Sequence, residues 1–168
     1  VGREAHVITG VGLSPDVEPE GGVEQGDSLA PLLWSIYIDP LLCALNKATD
    51  GYWLKRPTGP TSAPDASLKV SQLTFADDLT VIANSPDGCE RLLGIVADFC
   101  DRLGLRLNAS KSFIVTNKTR HSGTARPLSY TRGDHTETIE DVRYANDVFR
   151  YLGCQIRPDW TSGSAVAV

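Results

Sequence analysis

The sequence has 168 residues and 41% hydrophobic residues, enough for one domain with a core of its own. No apolar run approaches the roughly 20 residues that a transmembrane helix requires, so we expect no membrane contact. The four cysteines contain no C-x-x-C pair, which argues against a zinc site and a disulfide framework and favours a reducing, intracellular setting.

The formal net charge of −5 argues by itself against a nucleic-acid-binding protein. The charge is uneven, however. Residues 1–101 carry 6 Lys and Arg against 15 Asp and Glu, and residues 102–168 carry 10 against 6. The second part is therefore suited to face an anion, and a solvated surface with a chance asymmetry is the alternative interpretation.

The N-terminal third predicts one strand and one helix. Residues 5–13 indicate a short strand that runs into a glycine turn, and residues 14–22 form a Pro- and Gly-rich loop. Asp27 or Ser28 is a suitable N-cap for the helix that follows, with Pro31 in its first turn. Apolar side chains that we expect to pack in the core then recur at helical spacing: Leu29, Leu32, Leu33 and Ile36.

The end of that helix is less regular. Pro40 should kink the helix or split it, with Asp39 as a new cap, before the apolar pattern resumes through residues 41–45. Residues 49–66 form a predicted connection that contains a short strand at residues 52–54.

Two adjacent carboxylates lie between two apolar, β-favouring runs at residues 68–84. Alternation on both sides predicts a hairpin with Asp77 and Asp78 at its tip. Two interpretations remain open from these residues alone. Asp is common in turns because its side chain bonds nearby N–H groups. A divalent cation would also relieve the repulsion of the pair, and carboxylate oxygens suit Mg²⁺.

A second helix has clear signals at both ends. Ser85 is a suitable cap and Pro86 occupies the first helical position, while Gly104 ends the helix with Leu105 placed for the accompanying contact. Between them runs an apolar stripe of Cys89, Leu92, Leu93, Val96, Ala97, Cys100 and Leu103.

The remaining residues predict mostly short strands. A turn at residues 109–111 leads to a strand ending at 116, and short strands are expected near 128–130 and 141–144. Residues 149–156 read as a last strand, with Gly153 inside it marking a bulge or a close approach by another backbone. The predicted class is α+β, with a small, mainly antiparallel sheet and helices packed on one face.

Four of these stretches resemble motifs of one enzyme family. Residues 22–33 (GVEQGDSLAPLL) are similar to motif B of reverse transcriptases, especially those of LINE-type (non-LTR) retroelements. Residues 75–78 (FADD) resemble motif C, residues 104–112 (GLRLNASKS) motif D and residues 151–153 (YLG) motif E. Their order and spacing agree with the family, which implies an incomplete, polymerase palm-like domain.

The resemblance implies an RNA-directed DNA polymerase that extends a DNA primer on an RNA template by two-metal phosphoryl transfer with deoxynucleoside triphosphates. Asp77 would bind Mg²⁺ or Mn²⁺, and Asp78 would support the site. Lys111 would protonate or neutralise the leaving pyrophosphate, and an exposed loop lysine is the alternative. The family also implies a nuclear location.

The resemblance assigns binding roles to two further groups of residues. Gln25 and Gly26 would shape the pocket for the incoming nucleotide and the template, whereas Asp27 reads mainly as a helix-cap or loop residue. The primer grip would consist of Tyr151, Leu152 and Gly153, for which an ordinary strand with a bulge is the alternative.

One departure from the family concerns motif A, which carries another metal-binding Asp on an upstream strand. Residues 1–21 contain only Asp16, in a Pro-rich loop. The chain starts at Val1 and contains no Met, so we expect an internal fragment that lacks motif A, the fingers and the thumb and is inactive alone. The expected division is an upstream strand and loop at 1–21, the palm part at 22–156 and a tail at 157–168.

Two other functions remain open. The first is the palm of an RNA-directed RNA polymerase, although those usually have Gly before the Asp pair. The second is a non-catalytic RNA-binding protein or a degenerate palm relic.

Overall fold

The computed structural model describes residues 8–15, 26–55, 67–118, 120 and 125–157. The chain divides into two compact units, Val1–Ile38 and Asp39–Val168. In the described part, neither helix is long and apolar enough to cross a membrane.

The first unit begins with a small hairpin. Strands β1 (Ile8–Thr9) and β2 (Gly12–Leu13) pair antiparallel. The short strand and glycine turn predicted within residues 5–13 are confirmed where the structure describes them, because β1 leads into a reversal at Gly10, whereas the returning strand β2 was not predicted. The remainder of that prediction, and the loop at 16–22, lie outside the described residues.

Helix α1 (Ala30–Lys47) follows a turn closed by Asp27. The Leu29 N–H donates to Asp27 Oδ1 at 2.9 Å, and the Ala30 N–H donates to the Asp27 carbonyl at 3.2 Å. Asp27 therefore closes the turn that leads into the helix, which itself begins three residues later at Ala30. The helix continues through Pro40, so the predicted split at that residue is wrong.

The apolar face of α1 is buried over only part of its length. Leu41 and Leu45 are fully buried. The core packing predicted for the earlier positions is wrong, because their side chains are exposed. The exposed members are Leu29, Leu32, Leu33 and Ile36.

The second unit contains the other strands and the second helix, α2. The elements after α1 are β3 (Tyr52–Lys55), β4 (Ser67–Val70), β5 (Gln72–Phe75), β6 (Asp78–Val81), α2 (Pro86–Arg102), β7 (Ile114–Val115), β8 (Leu128–Arg132), β9 (His135–Ile139), β10 (Val142–Arg143), β11 (Phe149–Tyr151) and β12 (Cys154–Ile156). The class α+β is confirmed. The described strands form six two-stranded sheets, five antiparallel and one parallel (β7 with β10), and not one continuous sheet.

Helix α2 has the predicted ends. Ser85 Oγ accepts from the Gly88 N–H at 3.1 Å, and Pro86 opens the helix. Gly104 has a φ of +68°, and the Leu105 N–H donates to the Cys100 carbonyl at 2.8 Å. These two features form the Schellman ending that the sequence indicated.

The core of the second unit lies between α2 and the β8–β9 hairpin. Ala97 of α2 is buried against Tyr130 of β8 and Ile139 of β9. Leu92 and Val96 are also fully buried on α2, as their helical spacing predicted. This packing gives the second unit its main hydrophobic stabilisation.

The strand predicted near residues 128–130 is confirmed as β8, which turns at Gly133 (φ +54°) into β9. One prediction near the C-terminal end needs correction. The single strand predicted for residues 149–156 is wrong, because the chain reverses at Leu152 and Gly153 and pairs β11 with β12. Gly153 is therefore a turn residue and not a bulge inside a strand.

Candidate functional site

The two carboxylates lie on an exposed hairpin, as predicted. Phe75 of β5 pairs with Asp78 of β6, which leaves Ala76 and Asp77 as a two-residue loop. Asp77 therefore lies in the loop, whereas Asp78 is the first residue of the returning strand. Ala76 has a φ of +52°, although the first position of such loops favours glycine when φ is positive.

The register determines which side chains share a face with the carboxylates. Alternate residues of a strand point to the same side, and so do cross-strand partners. Asp78 and Thr80 of β6 therefore share one face with Leu73 and Phe75 of β5, which are 53% and 64% exposed. The acidic pair is thus accessible and adjoins an open apolar surface.

The hairpin that carries the predicted primer-grip residues contacts this same face. Thr80 Oγ1 donates a hydrogen bond of 2.9 Å to Tyr151 Oη, at the end of β11. The next two residues, Leu152 and Gly153, form the turn with φ values of +48° and +82°. Positive φ at both loop positions is typical of a type I′ hairpin. The structure therefore brings Tyr151 to the face that carries Asp78.

Thr80 is a residue of the candidate site that the motifs in the sequence do not include. Its spacing from Asp78 is the signal that was available, because residues two apart in a strand share a face. Its partner lies 71 positions further along the chain, and no local pattern indicates that pairing.

Lys111 lies in the predicted turn, which Asn108 organises. The Lys111 N–H donates to the Asn108 carbonyl at 3.1 Å and to Asn108 Oδ1 at 3.2 Å, and Ser110 Oγ donates to the same Oδ1 at 2.8 Å. The Lys111 side chain is exposed, and within the described residues it forms no ion pair. The structure does not join it to Asp77 or Asp78.

The predicted nucleotide-binding pair belongs to the first unit. Gly26 is exposed and has a φ of +95°, a conformation that other residues rarely adopt. Gln25 lies outside the described residues.

The chemistry of the carboxylate pair fits a divalent cation, because Mg²⁺ takes one or two protein carboxylates and fills its other positions with water and phosphate oxygens. Both side chains are exposed and lie next to each other in the chain. No group of three or more His, Cys, Asp or Glu side chains suited to a metal occurs in the part that the structure describes. Asp77 and Asp78 thus offer such an ion two neighbouring carboxylates.

The basic second part of the chain is only partly neutralised. Five of its arginines form ion pairs with carboxylates: Arg102, Arg120, Arg126, Arg132 and Arg143. Four further cations are exposed and form no ion pair within the described residues: Arg106, Lys111, Lys118 and Arg150. These four are available to an anionic ligand.

The strongest electrostatic perturbation lies away from the carboxylate pair, at the start of α2. Arg126 donates to Glu90 Oε1 at 2.5 Å and to Oε2 at 2.8 Å, and the Ser129 N–H adds a bond of 3.1 Å. These bonds lower the pKa of Glu90 to about 2. Their location between α2 and β8 indicates a structural role.

Comparison with known proteins identifies the family. A family model described as reverse transcriptase (RNA-dependent DNA polymerase) matches residues 16–156. The Retrovirus-related Pol polyprotein from type-2 retrotransposable element R2DM of Drosophila melanogaster is 33% identical over 102 residues, 61% of this chain. That from type-1 retrotransposable element R2 of Popillia japonica is 33% identical over 134 residues, 79% of this chain.

The chain spans 8% and 17% of the lengths of these two relatives. The family match covers most of the chain and agrees with the resemblance seen in motifs B to E. The R2 relatives agree with the expected kinship to LINE-type elements. The chain therefore belongs to the reverse transcriptase (RNA-dependent DNA polymerase) family.

Proposed function

We propose that this chain is the part of a longer RNA-directed DNA polymerase that carries two catalytic carboxylates and the primer grip of the palm. The observation that supports this most is the hydrogen bond between Thr80 and Tyr151, because it brings the predicted grip to the face that carries Asp78. The family match and the motif order support the same assignment.

The carboxylates would hold Mg²⁺ or Mn²⁺. Bound ions supply charge stabilisation for the attacking primer 3′-hydroxyl and the leaving pyrophosphate. Asp77 is free to ligate because it lies in the exposed loop, and Asp78, the first residue of β6, would support the site. The two-residue loop keeps both carboxylates at one end of the hairpin.

The remaining assigned residues would bind substrates. Gln25 and Gly26 would contact the incoming deoxynucleoside triphosphate and the RNA template. Lys111 would donate a proton to the pyrophosphate, for which its exposed ammonium group is available. The hairpin of Tyr151 to Gly153 would hold the DNA primer.

We further propose that the metal site is completed by a carboxylate from another part of the parent protein. Asp77 and Asp78 supply one side of a site, and a two-metal reaction needs ligands around both ions. The 168-residue chain alone would then bind a primer–template duplex weakly and would not extend the primer.

Primer extension on an RNA template with Mg²⁺ and deoxynucleotides tests the proposal. The 168-residue chain is compared with a longer version that restores the flanking coding sequence of the parent. We expect synthesis by the longer version only, and its loss in Asp77→Asn. Asp134→Asn is the matched control, because Asp134 also lies in a two-residue hairpin loop.

The other outcomes identify the alternatives. Near-normal synthesis by Asp77→Asn overturns the catalytic assignment. A preference for ribonucleotides would indicate an RNA-directed RNA polymerase, and salt-dependent RNA binding without synthesis a non-catalytic protein. Synthesis by the short chain alone would mean that it contains a complete metal site.

A further inference from the structure

Two hairpins that are distant in the sequence are joined by a pair of hydroxyl groups. Thr80 lies on β6, two residues after Asp78, and Tyr151 ends β11. Both side chains are half-buried, and Thr80 Oγ1 donates to Tyr151 Oη at 2.9 Å. A hydrogen bond between two side chains with few rotatable bonds restricts the direction of the phenol ring.

The direction of this bond leaves the phenol with a proton to donate. A tyrosine hydroxyl both donates and accepts, and here the oxygen already accepts from Thr80. The described residues provide no acceptor for the Tyr151 O–H. Because hydrogen bonds in a chain polarise one another, a phenol that accepts from Thr80 becomes a better donor.

The geometry limits what the acceptor can be. Tyr151 meets the face of β6 that also carries Asp78, and it adjoins the exposed turn at Leu152. A ligand that reaches the carboxylates along this face passes the phenol. A phosphodiester oxygen fits, since at neutral pH it accepts hydrogen bonds and donates none.

We propose that Thr80 is a positioning residue that orients Tyr151, so that the phenolic O–H donates to a phosphodiester oxygen of the primer strand. This inference rests on the proposed function, and it adds a residue outside the four motifs together with a defined atom-to-atom contact. The Tyr151 phenol is a neutral donor, so it adds an oriented hydrogen bond but no positive charge. Arg150, on the other side of β11, would instead contact a phosphate through its charge.

Steady-state primer extension by the longer version tests the role of Thr80 through matched variants. Thr80→Val removes the hydroxyl with little change of shape, and Thr80→Ser keeps it. Tyr151→Phe removes the phenolic oxygen, and the double variant Thr80→Val/Tyr151→Phe measures the coupling. Thr74→Val makes the same chemical change on the opposite face of the hairpin, where Thr74 is exposed.

We expect Thr80→Val and Tyr151→Phe each to raise the KM for primer–template about fivefold to tenfold, the effect of losing one hydrogen bond. The kcat should change less than about twofold, because a contact remote from the reacting atoms contributes uniform binding. Thr80→Ser and Thr74→Val should resemble the wild type, and the double variant should be no worse than Tyr151→Phe alone.

The strand that supplies the phosphate is identified by stereospecific methylphosphonate substitution, which replaces the accepting non-bridging oxygen by a methyl group in one of the two diastereomers. Substitution of the last phosphodiesters of the primer should remove the difference between wild type and Tyr151→Phe. The same substitution in the template should preserve that difference. The reverse pattern would overturn the assignment to the primer strand.

Three results would overturn the role of Thr80. The first is a KM of Thr80→Val equal to that of Thr74→Val, and the second is a rise of KM in Thr80→Ser as large as that in Thr80→Val. The third is a double variant in which the free-energy effects of the two single substitutions on KM add. If Thr80→Val does not fold, the comparison of Thr80→Ser with Tyr151→Phe decides, and equal KM values would contradict the proposal. These failures leave synthesis and its dependence on Asp77 intact. Absence of synthesis by the wild type instead refutes the proposed function and this inference with it.

Discussion

The ammonium group of Lys69 donates a hydrogen bond of 2.5 Å to the main-chain carbonyl oxygen of Asn46, in the last turn of α1. It also donates to the carbonyl of Ala48. The last carbonyl groups of a helix lack hydrogen-bond donors within the helix and carry partial negative charge. A lysine ammonium group at this end supplies the missing donors and a compensating positive charge. The contact fastens β4 to the end of α1, immediately before the hairpin of the carboxylates.

We predict that Lys69→Met lowers the free energy of unfolding by about 1 to 2 kcal/mol, because two charge-assisted hydrogen bonds are lost at a partly exposed position. Lys118→Met is the control, since Lys118 is exposed and its side chain forms no ion pair within the described residues. Urea titration of both variants measures the difference. Equal stability of the two would show that Lys69 contributes only surface charge.

Two glycines should respond in opposite ways to substitution by alanine. A Cβ on the buried Gly51 would lie 3.0 Å from the Val70 carbonyl oxygen and 3.1 Å from Ser71 Cβ, so β4 would have to move. We predict that Gly51→Ala lowers the free energy of unfolding by about 1 to 3 kcal/mol.

Gly94 lies inside α2 with no such neighbour within 4 Å, and Gly94→Ala should raise the free energy of unfolding by about 0.5 to 1 kcal/mol. Thermal unfolding of both variants checks the signs, and a neutral Gly51→Ala would contradict the tight approach.

Glu90 should make stability depend on pH in the acidic range. Its pKa is about 2 in the folded state, below the ordinary value of 4.5, chiefly because Arg126 binds the ionised carboxylate. The stabilisation is therefore complete above about pH 4.5 and is lost as the pH falls towards 2. We predict that the difference in unfolding free energy between wild type and Glu90→Gln is largest near pH 7 and narrows towards pH 2.

Urea titrations from pH 7 to pH 2 measure this difference. Glu140→Gln is the matched control, because Glu140 is exposed and forms no ion pair among the described residues. A difference for Glu90→Gln that stays constant with pH would exclude the ionised pair as its source.

The elements that were predictable are those whose signals are local. Helix α2 begins at Ser85 and ends at Gly104 because each end satisfies its own backbone groups within a few residues. The hairpin of Asp77 and Asp78 follows from alternation on both sides of a short polar break.

The features that were missed depend on partners or on unusual backbone. Leu33 on α1 is exposed, although its helical spacing predicted burial. Burial depends on whether another element packs against the helix, and the spacing of residues within the helix does not carry that information. The hairpin at Leu152 was read as a strand, since leucine rarely adopts positive φ and gave no turn signal. In the candidate site, the motifs indicated Asp77 and Tyr151, whereas Thr80 became visible only through its contact across 71 positions.

The turn at Leu152 provides the last prediction. Leu152 has a φ of +48° and is followed by Gly153 at +82°, a type I′ arrangement that favours Asn-Gly. Asn tolerates this conformation better than Leu, so Leu152→Asn should raise the free energy of unfolding by about 0.5 to 1 kcal/mol. Leu152→Ala is the control, because it removes the same side chain and keeps a residue that disfavours positive φ. A gain in Leu152→Ala equal to that in Leu152→Asn would assign the effect to the exposed leucine side chain and not to the backbone. Urea titration of both variants measures the gain.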